Sequence, residues 1–558
     1  MRASGAVTSA TTVVGALLCG ALTMAAAGRT TTSTFRADDP LQREPETQDA
    51  SGVKPVTIGL LVDLSTNLFS SPGADTLPAV RAGNINTIDE VPDSNWFTNR
   101  ILARPLTLAE AARGGGGAGP GPAPGPWTVV AEKSSGAAPG FTMQDTAGET
   151  WFVSLDARGY PESATGALVV SNRIFWTLGY WVPDTALTRI RPEQVLIGDT
   201  ATVRPPSGKP RPMRAADLDE VWARAQSLAD GSFRAVAARR LPGRPLGGFR
   251  YFGTRPDDPN DIVPHEHRRE LRALKVFGAW TNLVDIKAGN TLDMLVTENG
   301  RSIVRHYLQD VGSTFGAGAL GPHEFDEGWE YLFDADLTLK RLASLGFFIQ
   351  PWQTATYASH PAIGPFESTL FDPIAWRPRV PSAALRHAQP DDLFWAARRV
   401  LAFSDEMIRA VVDSADYASR ADADHLAKTL MARRDRIGTA YLTGVNPLVD
   451  LALSADGQLS FTSAGAAAGL VPTPLAYRAR WDEFDNATGV LTPLGESAAR
   501  ARAPLAAPAL PARPGAFVRV TITAAADPAG VAAGIPLTAH FRRTPGGWIL
   551  VGLDRTGR

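Results

Sequence analysis

Asn299-Gly300, with LDMLVTE before it and RSIVRHYL after it, constrains this chain more tightly than any other short stretch. A two-residue hairpin loop of this kind needs positive φ at both positions, and Asn-Gly supplies that at little cost. The flanking residues alternate, so the segment predicts two antiparallel strands in a single register. Upstream, Pro264 opens the run HEHRRELRALKVFGAWTNLV, in which Leu271, Leu274, Phe277 and Leu283 fall on one side of a helix. That run leads into Asp285. Asn290 follows five residues later, and the second strand of the hairpin delivers Asp310 into Val311-Gly312.

This order suits phosphoryl transfer, which asks little covalent help of a protein. It needs a carboxylate to orient and deprotonate the acceptor hydroxyl, and oxygen ligands that hold a divalent cation against the phosphates. An Asp and an Asn five apart on a tight loop supply the base, Asp285, and one ligand, Asn290. Asp310 supplies the bridging ligand. Mg²⁺ keeps several waters, so two protein ligands are enough.

The stretch upstream reads as strand, hairpin, helix, strand. Trp127 to Val130 is strand-like, and Phe141–Met143 and Trp151–Leu155 alternate around the turn Asp145-Thr-Ala-Gly148. Ala164 to Leu178 has helical spacing and stops at Gly179, and Gln194 to Gly198 is a further strand. Residues 200–245 are basic and Pro-rich, with a helical patch near Ala215 to Leu228. Helices are predicted over Pro390–Phe403, Ser404–Val412 and Ala423–Leu442, with Ser404 as an N-cap. From Tyr477 onward the alternation of Phe517–Thr523 and Leu537–Phe541 predicts a small β domain.

Together GFTMQDTAGETWFVSLD, ATGALVVSNRIFWTLGYWVPD, WTNLVDIKAGNTLD and RHYLQDVGSTFG resemble the atypical protein-kinase-like families of bacteria, the HipA-type and CotH-type kinases. Above all they resemble a group of exported bacterial proteins built on that plan. The resemblance covers roughly residues 127–445. It implies an α+β fold, a bilobal kinase-like core with a small C-terminal β domain. The divisions expected are a signal peptide (1–27), an N-terminal segment with a Gly/Pro-rich linker (28–126), an N-lobe (127–200), a mainly helical C-lobe (201–476) and the β domain (477–558). It further implies Asp285 as catalytic base and Asn290 and Asp310 as ligands of Mg²⁺ (or Mn²⁺). ATP would lie under a phosphate-covering loop, Lys133 to Gly140, that includes Gly136. The pattern also departs from the family. Ser154 stands where a third-strand lysine is expected, and Leu168 where its glutamate partner is expected. Losing both is coherent, because a glutamate left without its cation would be a costly buried charge. Two readings follow. One is a kinase that draws its cation from Lys133, as do the kinases called "with no lysine". The other is a pseudokinase serving as a binding or scaffold protein in the cell envelope.

The remaining features set limits. Arg2 and the apolar run Thr11–Ala27 form a signal-peptide pattern too short for a comfortable membrane span, so the protein is expected to be exported: periplasmic, cell-surface or secreted. Cys19 is the only cysteine, and a mature chain without it has no disulfide. A formal charge of −2 gives no general attraction to nucleic acid. After a polar tether, Val56 to Val62 reads as a strand, and RGGGGAGPGPAPGP (113–126) as a linker. His265, Glu266, His267 and Glu270 lack the spacing of a zinc-protease helix and read as a polar helix face. The run Arg255 to Asp261 has a calcium loop's composition, but two prolines and no terminal glutamate make it a structured turn.

Overall fold

The computed structural model describes residues 33–555 apart from 70–78, 116–120, 134–135, 205–207, 333, 346, 471, 473, 475, 501–502 and 526–534. The run expected to be a signal peptide, residues 1–27, lies outside them. The fold is mixed α+β, with four sheets among the described residues and a set of helices besides. Among the described residues no helix is long and apolar enough to cross a membrane.

The strand expected over Val56–Val62 is not formed. Val56 N–H reaches Leu246 O at 2.8 Å, but the chain then turns into α1 (Leu60–Phe69). This helix is inside out. Leu60, Leu61 and Val62 are exposed, whereas Asp63 and Asn67, one turn apart, are each only 2% exposed. Their polar contacts reach Ala288 N and Ala383 N. The next helix, α2 (Leu108–Arg113), is closed by a capping box of Thr107 and Glu110.

A seven-stranded sheet follows. It contains β1 (Trp127–Glu132), β2 (Gly140–Gln144) and β3 (Thr150–Leu155), then, after α3 (Ser163–Leu178), β4 (Thr185–Ile190), β5 (Val195–Val203) and the short β6 (Arg211–Pro212). Helix α4 (Ala215–Arg224) intervenes before β7 (Phe233–Arg239). The order is β4-β7-β3-β2-β1-β5-β6, antiparallel except where β5 runs parallel to β1. Phe141, Met143, Trp151 and Val153 alternate into the core beneath it. The expected end of this unit at residue 200 is too early, because β7 is the inner neighbour of β3. Its sequence, FRAVAAR, is a buried strand without period-2 alternation, hidden in a basic, Pro-rich stretch. Asp156 caps α3 from outside the helix, its Oδ1 accepting from Thr165 N at 2.9 Å.

The chain then enters β8 (Arg244–Gly247), which adds an edge to the hairpin of β9 (Thr291–Glu298) and β10 (Arg301–Leu308). The hairpin turns at Asn299 (φ 50°) and Gly300 (φ 75°), pairing Glu298 with Arg301. The single helix expected after Pro264 is broken into a 3₁₀ turn, α5 (Arg269–Arg272) and α6 (Leu274–Thr281). Buried charge explains the break. Arg269 bonds Asp391 and Asp392, Arg272 bonds Asp392, and Arg268 pairs with Glu44. His265 is spent on Asp261 and His267 on Arg272.

Helices α7 (Ala335–Ala343), α8 (Pro351–Thr354), α9 (Ala383–Arg386), α10 (Pro390–Leu401), α11 (Asp405–Asp413) and α12 (Arg420–Tyr441) complete the body. Ser404 caps α11 through Met407 N, as expected. The terminal β region starts earlier than residue 477. Strands β11 (Leu448–Leu453) and β12 (Gln458–Ser463) share one apolar core with the five-stranded sheet of β13 (Ala476–Phe484), β14 (Leu491–Arg500), β16 (Phe517–Ala525), β17 (Leu537–Thr544) and β18 (Gly547–Asp554). The short β15 (Leu505–Ala506) pairs with β12. Nor is this region a separate appendage. Phe35 packs on Phe484 and Phe517, and buried Arg555 donates to Asp89 Oδ2 at 3.0 Å and to two backbone carbonyls.

Candidate active site

Asn282 ends α6 in the left-handed conformation (φ 54°), which turns the chain sharply out of the helix and into Asp285. From Asp285 to Asn290 the chain makes a tight loop closed on itself, Asn290 Nδ2 donating to Asp285 O at 2.8 Å. Asn290 thereby commits its amide nitrogen and leaves Oδ1 as the atom available to a cation. Its backbone carbonyl accepts from Gln309 N (3.0 Å) and Asp310 N (3.1 Å). The loop and the end of β10 are thus one hydrogen-bonded unit, which carries Asp285, Asn290 and Asp310 on linked backbone. The exposed Asp310 takes one internal bond at Oδ1, from Gly312 N at 3.0 Å.

Sequence reasoning missed Lys287. Its Nζ lies 2.8 Å from Asp285 Oδ2, and both side chains are about one-third exposed. The signal was present in Asp285-Ile-Lys287, a lysine two residues past Asp285 on the same loop.

Lys133 leaves the end of β1 and is largely buried. Burial disfavours its charge and lowers its pKa, Asp310 opposes that loss, and Arg224 reinforces it. Its stem passes over Gly140, where an added Cβ would lie 3.4 Å from Lys133 Cδ and 2.1 Å from Val153 O. Gly140 is the register partner of Ser154 on β3. Lys133, at the end of β1, therefore stands one strand further from β3 than Gly140, with β2 between it and Ser154. Gly136 (φ 82°) lies next to Lys133 Nζ, and an added Cβ there would be 3.5 Å from it. Residues 134–135 of the expected phosphate loop lie outside the described residues. On the far side Leu168 of α3 rests against Gly312, so the position expected for a glutamate is an apolar contact on the Asp310 turn.

A second group, unforeseen in the sequence, flanks Asp285. Val284 N donates to Ser313 O, and Ser313 Oγ lies 2.9 Å from His323 Nε2. Glu327 Oε2 is 3.2 Å from His323 Nδ1 but out of line for a hydrogen bond, and Glu327 is held by Arg379. Burial, helped by Arg379, pushes His323 down to about 4, so it is neutral at pH 7.

The donor set suits a hard cation. Asp310 Oδ2 and Asn290 Oδ1 are oxygens, and among the described residues no group of three or more His, Cys, Asp or Glu side chains is arranged around a metal position. A cation here would take its other ligands from phosphate and water.

No family model matches the sequence, and no curated protein matches it. Among solved structures, a Helicobacter pylori proinflammatory kinase, CtkA, aligns at 12% identity over 57% of this chain and 98% of its own, with a TM-score of 0.28. A likeness that loose adds no weight to the geometry.

Proposed function

We propose that this chain is a phosphotransferase of kinase-like fold that uses ATP with Mg²⁺ or Mn²⁺ to phosphorylate a hydroxyl of a protein or envelope component, and that it acts outside the cytoplasm. One observation carries the reading: the loop is closed by the bond from the Asn290 amide to the Asp285 carbonyl, and the Asn290 carbonyl ties it to the Asp310 turn. A loose group of surface residues would need neither feature.

In this reading the acceptor oxygen attacks the γ-phosphorus and its proton passes to Asp285. The new P–O bond forms as the bond to the bridging oxygen breaks, and ADP leaves with the electron pair. Lys287 sits beside the base, where it balances charge on the transferring group. Asn290 and Asp310 would hold the metal, which when bound supplies positive charge against the phosphates. Lys133 would serve as the nucleotide's cation, recovering its full charge once phosphate oxygens surround it.

The scaffold reading rests on Ser154 and on the Leu168–Gly312 contact. Thermal unfolding of the exported protein with nucleotide separates the two. ATP at a hundredfold excess over its dissociation constant should add about 2.7 kcal/mol of stability, only with Mg²⁺ or Mn²⁺ present, and Asp310→Ala should abolish the gain. A wild-type protein with no nucleotide-dependent shift under any metal sinks the phosphotransferase reading and leaves the scaffold one.

A further inference from the structure

The loop that carries Asp285 and Asn290 is held from outside by α1, a helix more than two hundred residues earlier in the chain. Asp63 Oδ2 accepts from Ala288 N at 2.8 Å, a bond that ties α1 to the backbone inside this loop. Asp63 Oδ1 accepts from Asn67 Nδ2 at 3.1 Å, and Asn67 Oδ1 accepts from Ala383 N at 3.1 Å. The helix therefore spans from the loop to α9. At its first turn Leu60, Leu61 and Val62 are exposed while Asp63 is buried.

That burial is unfavourable for a carboxylate and raises its pKa. The Ala288 bond, the Asn67 amide, Arg250 and Lys287 all pull the other way. The Ala288 carbonyl accepts from Thr291 Oγ1 at 2.8 Å and lies where a Cβ on Gly248 would be, 2.2 Å away, so Asp63 fixes the amide side of a peptide unit whose carbonyl side is already packed. Fixing Ala288 fixes its neighbours: Lys287, which pairs with Asp285, and Asn290, whose carbonyl seats Asp310.

We infer that Asp63 is a positioning residue for phosphoryl transfer and that α1 is a built-in brace for the catalytic loop, an inference that rests on the function proposed above. Asp63 is buried and bonded to Ala288 and Asn67. It acts through Ala288 on where Lys287 and Asp285 stand, so its loss should reduce turnover and leave nucleotide binding alone.

The test uses the whole exported protein, MgATP as the probe and water as acceptor, with phosphate release giving kcat and KM. Asp63→Ala and Asp63→Glu, which remove or displace the acceptor atom, should each lower kcat at least tenfold with KM within threefold of wild type. Asp63→Asn keeps an oxygen at the same place and should retain a third or more of the rate, a rescue that a general loss of packing would not give. Amide exchange of a peptide spanning 285–290, measured without nucleotide, should rise at least tenfold in Asp63→Ala and stay near wild type in Asp63→Asn. Should Asp63→Ala not fold, Asp63→Glu carries both measurements. Wild-type kcat in the Ala and Glu variants, or equal loss of kcat and MgATP affinity, overturns the inference. If the wild type releases no phosphate, the proposed function fails on its own, and unchanged exchange in Asp63→Ala would remove the brace as well.

Discussion

Burial disfavours the charge on Lys133, and Asp310 acts against that effect. The two should behave as a pair. Lys133→Ala is expected to weaken MgATP binding at least tenfold, read as a smaller nucleotide-dependent thermal shift, while Lys133→Arg restores only part because a planar fork does not replace a point charge. Asp285→Ala should leave that shift intact and stop phosphate transfer, because a base acts on the acceptor. His323 predicts a pH dependence with a definite sign. Its folded value, about 4, is below the ordinary 6.5, so the folded state binds its proton less well than the unfolded chain does. This contribution to stability is full above about pH 6.5 and is lost as pH falls towards 4, amounting to about 3 kcal/mol. Equilibrium unfolding of His323→Gln across that window should lose a matching part of the acid sensitivity. Asp285, Asn290, Asp310 and Lys133 were legible in the sequence because each falls at a fixed distance from a hairpin or strand signal. Asp63 and His323 were not, since their meaning depends on contacts across 225 and 10 residues that no local pattern encodes.

At the scale of elements, the turns were the most readable features. The hairpin between β9 and β10 folds as Asn299-Gly300 dictates, and Gly300, at φ 75°, has no neighbouring atom within 4 Å of an added Cβ. Gly300→Ala should therefore cost about 1 kcal/mol through backbone strain alone, measurable in denaturant with no change in nucleotide affinity. Strand β7 and helix α1 were misread for opposite reasons. β7 lies between β3 and β4, so it has no polar face to betray it. α1 shows strand-like Val-Thr-Ile-Gly-Leu-Leu-Val before and within it, but the edge beside Leu246 offers Val56 one partner and no ladder. The helix after Pro264 was correctly periodic yet broken by its arginines, which form buried bonds to acids on α10 that periodicity cannot reveal.

For the molecule as a whole, the boundary at residue 477 looked clean because alternation begins there. The structure ties that region back at several points. Asp89 lies among Arg81, Arg269 and Arg555, and Leu553 N donates to Thr87 O at 2.8 Å. Deleting residues 477–558 should therefore strip partners from Asp89 and uncover Phe35 and the β11–β12 face. The expected result is a truncated protein that melts well below the full one or aggregates. Arg555→Ala alone should cost about 3 kcal/mol, since it breaks a buried pair from one side. The Asp89–Arg555 bond also has a consequence in time. Its two halves are 466 residues apart in the chain. At a ribosome's pace of about 5–20 residues per second, Asp89 waits roughly 25 to 90 seconds for its last partner to be made. For the first part of that interval only Arg81 is at hand, and Arg269 joins it 180 residues after Asp89. The cluster around Asp89 is complete only once synthesis has passed β18.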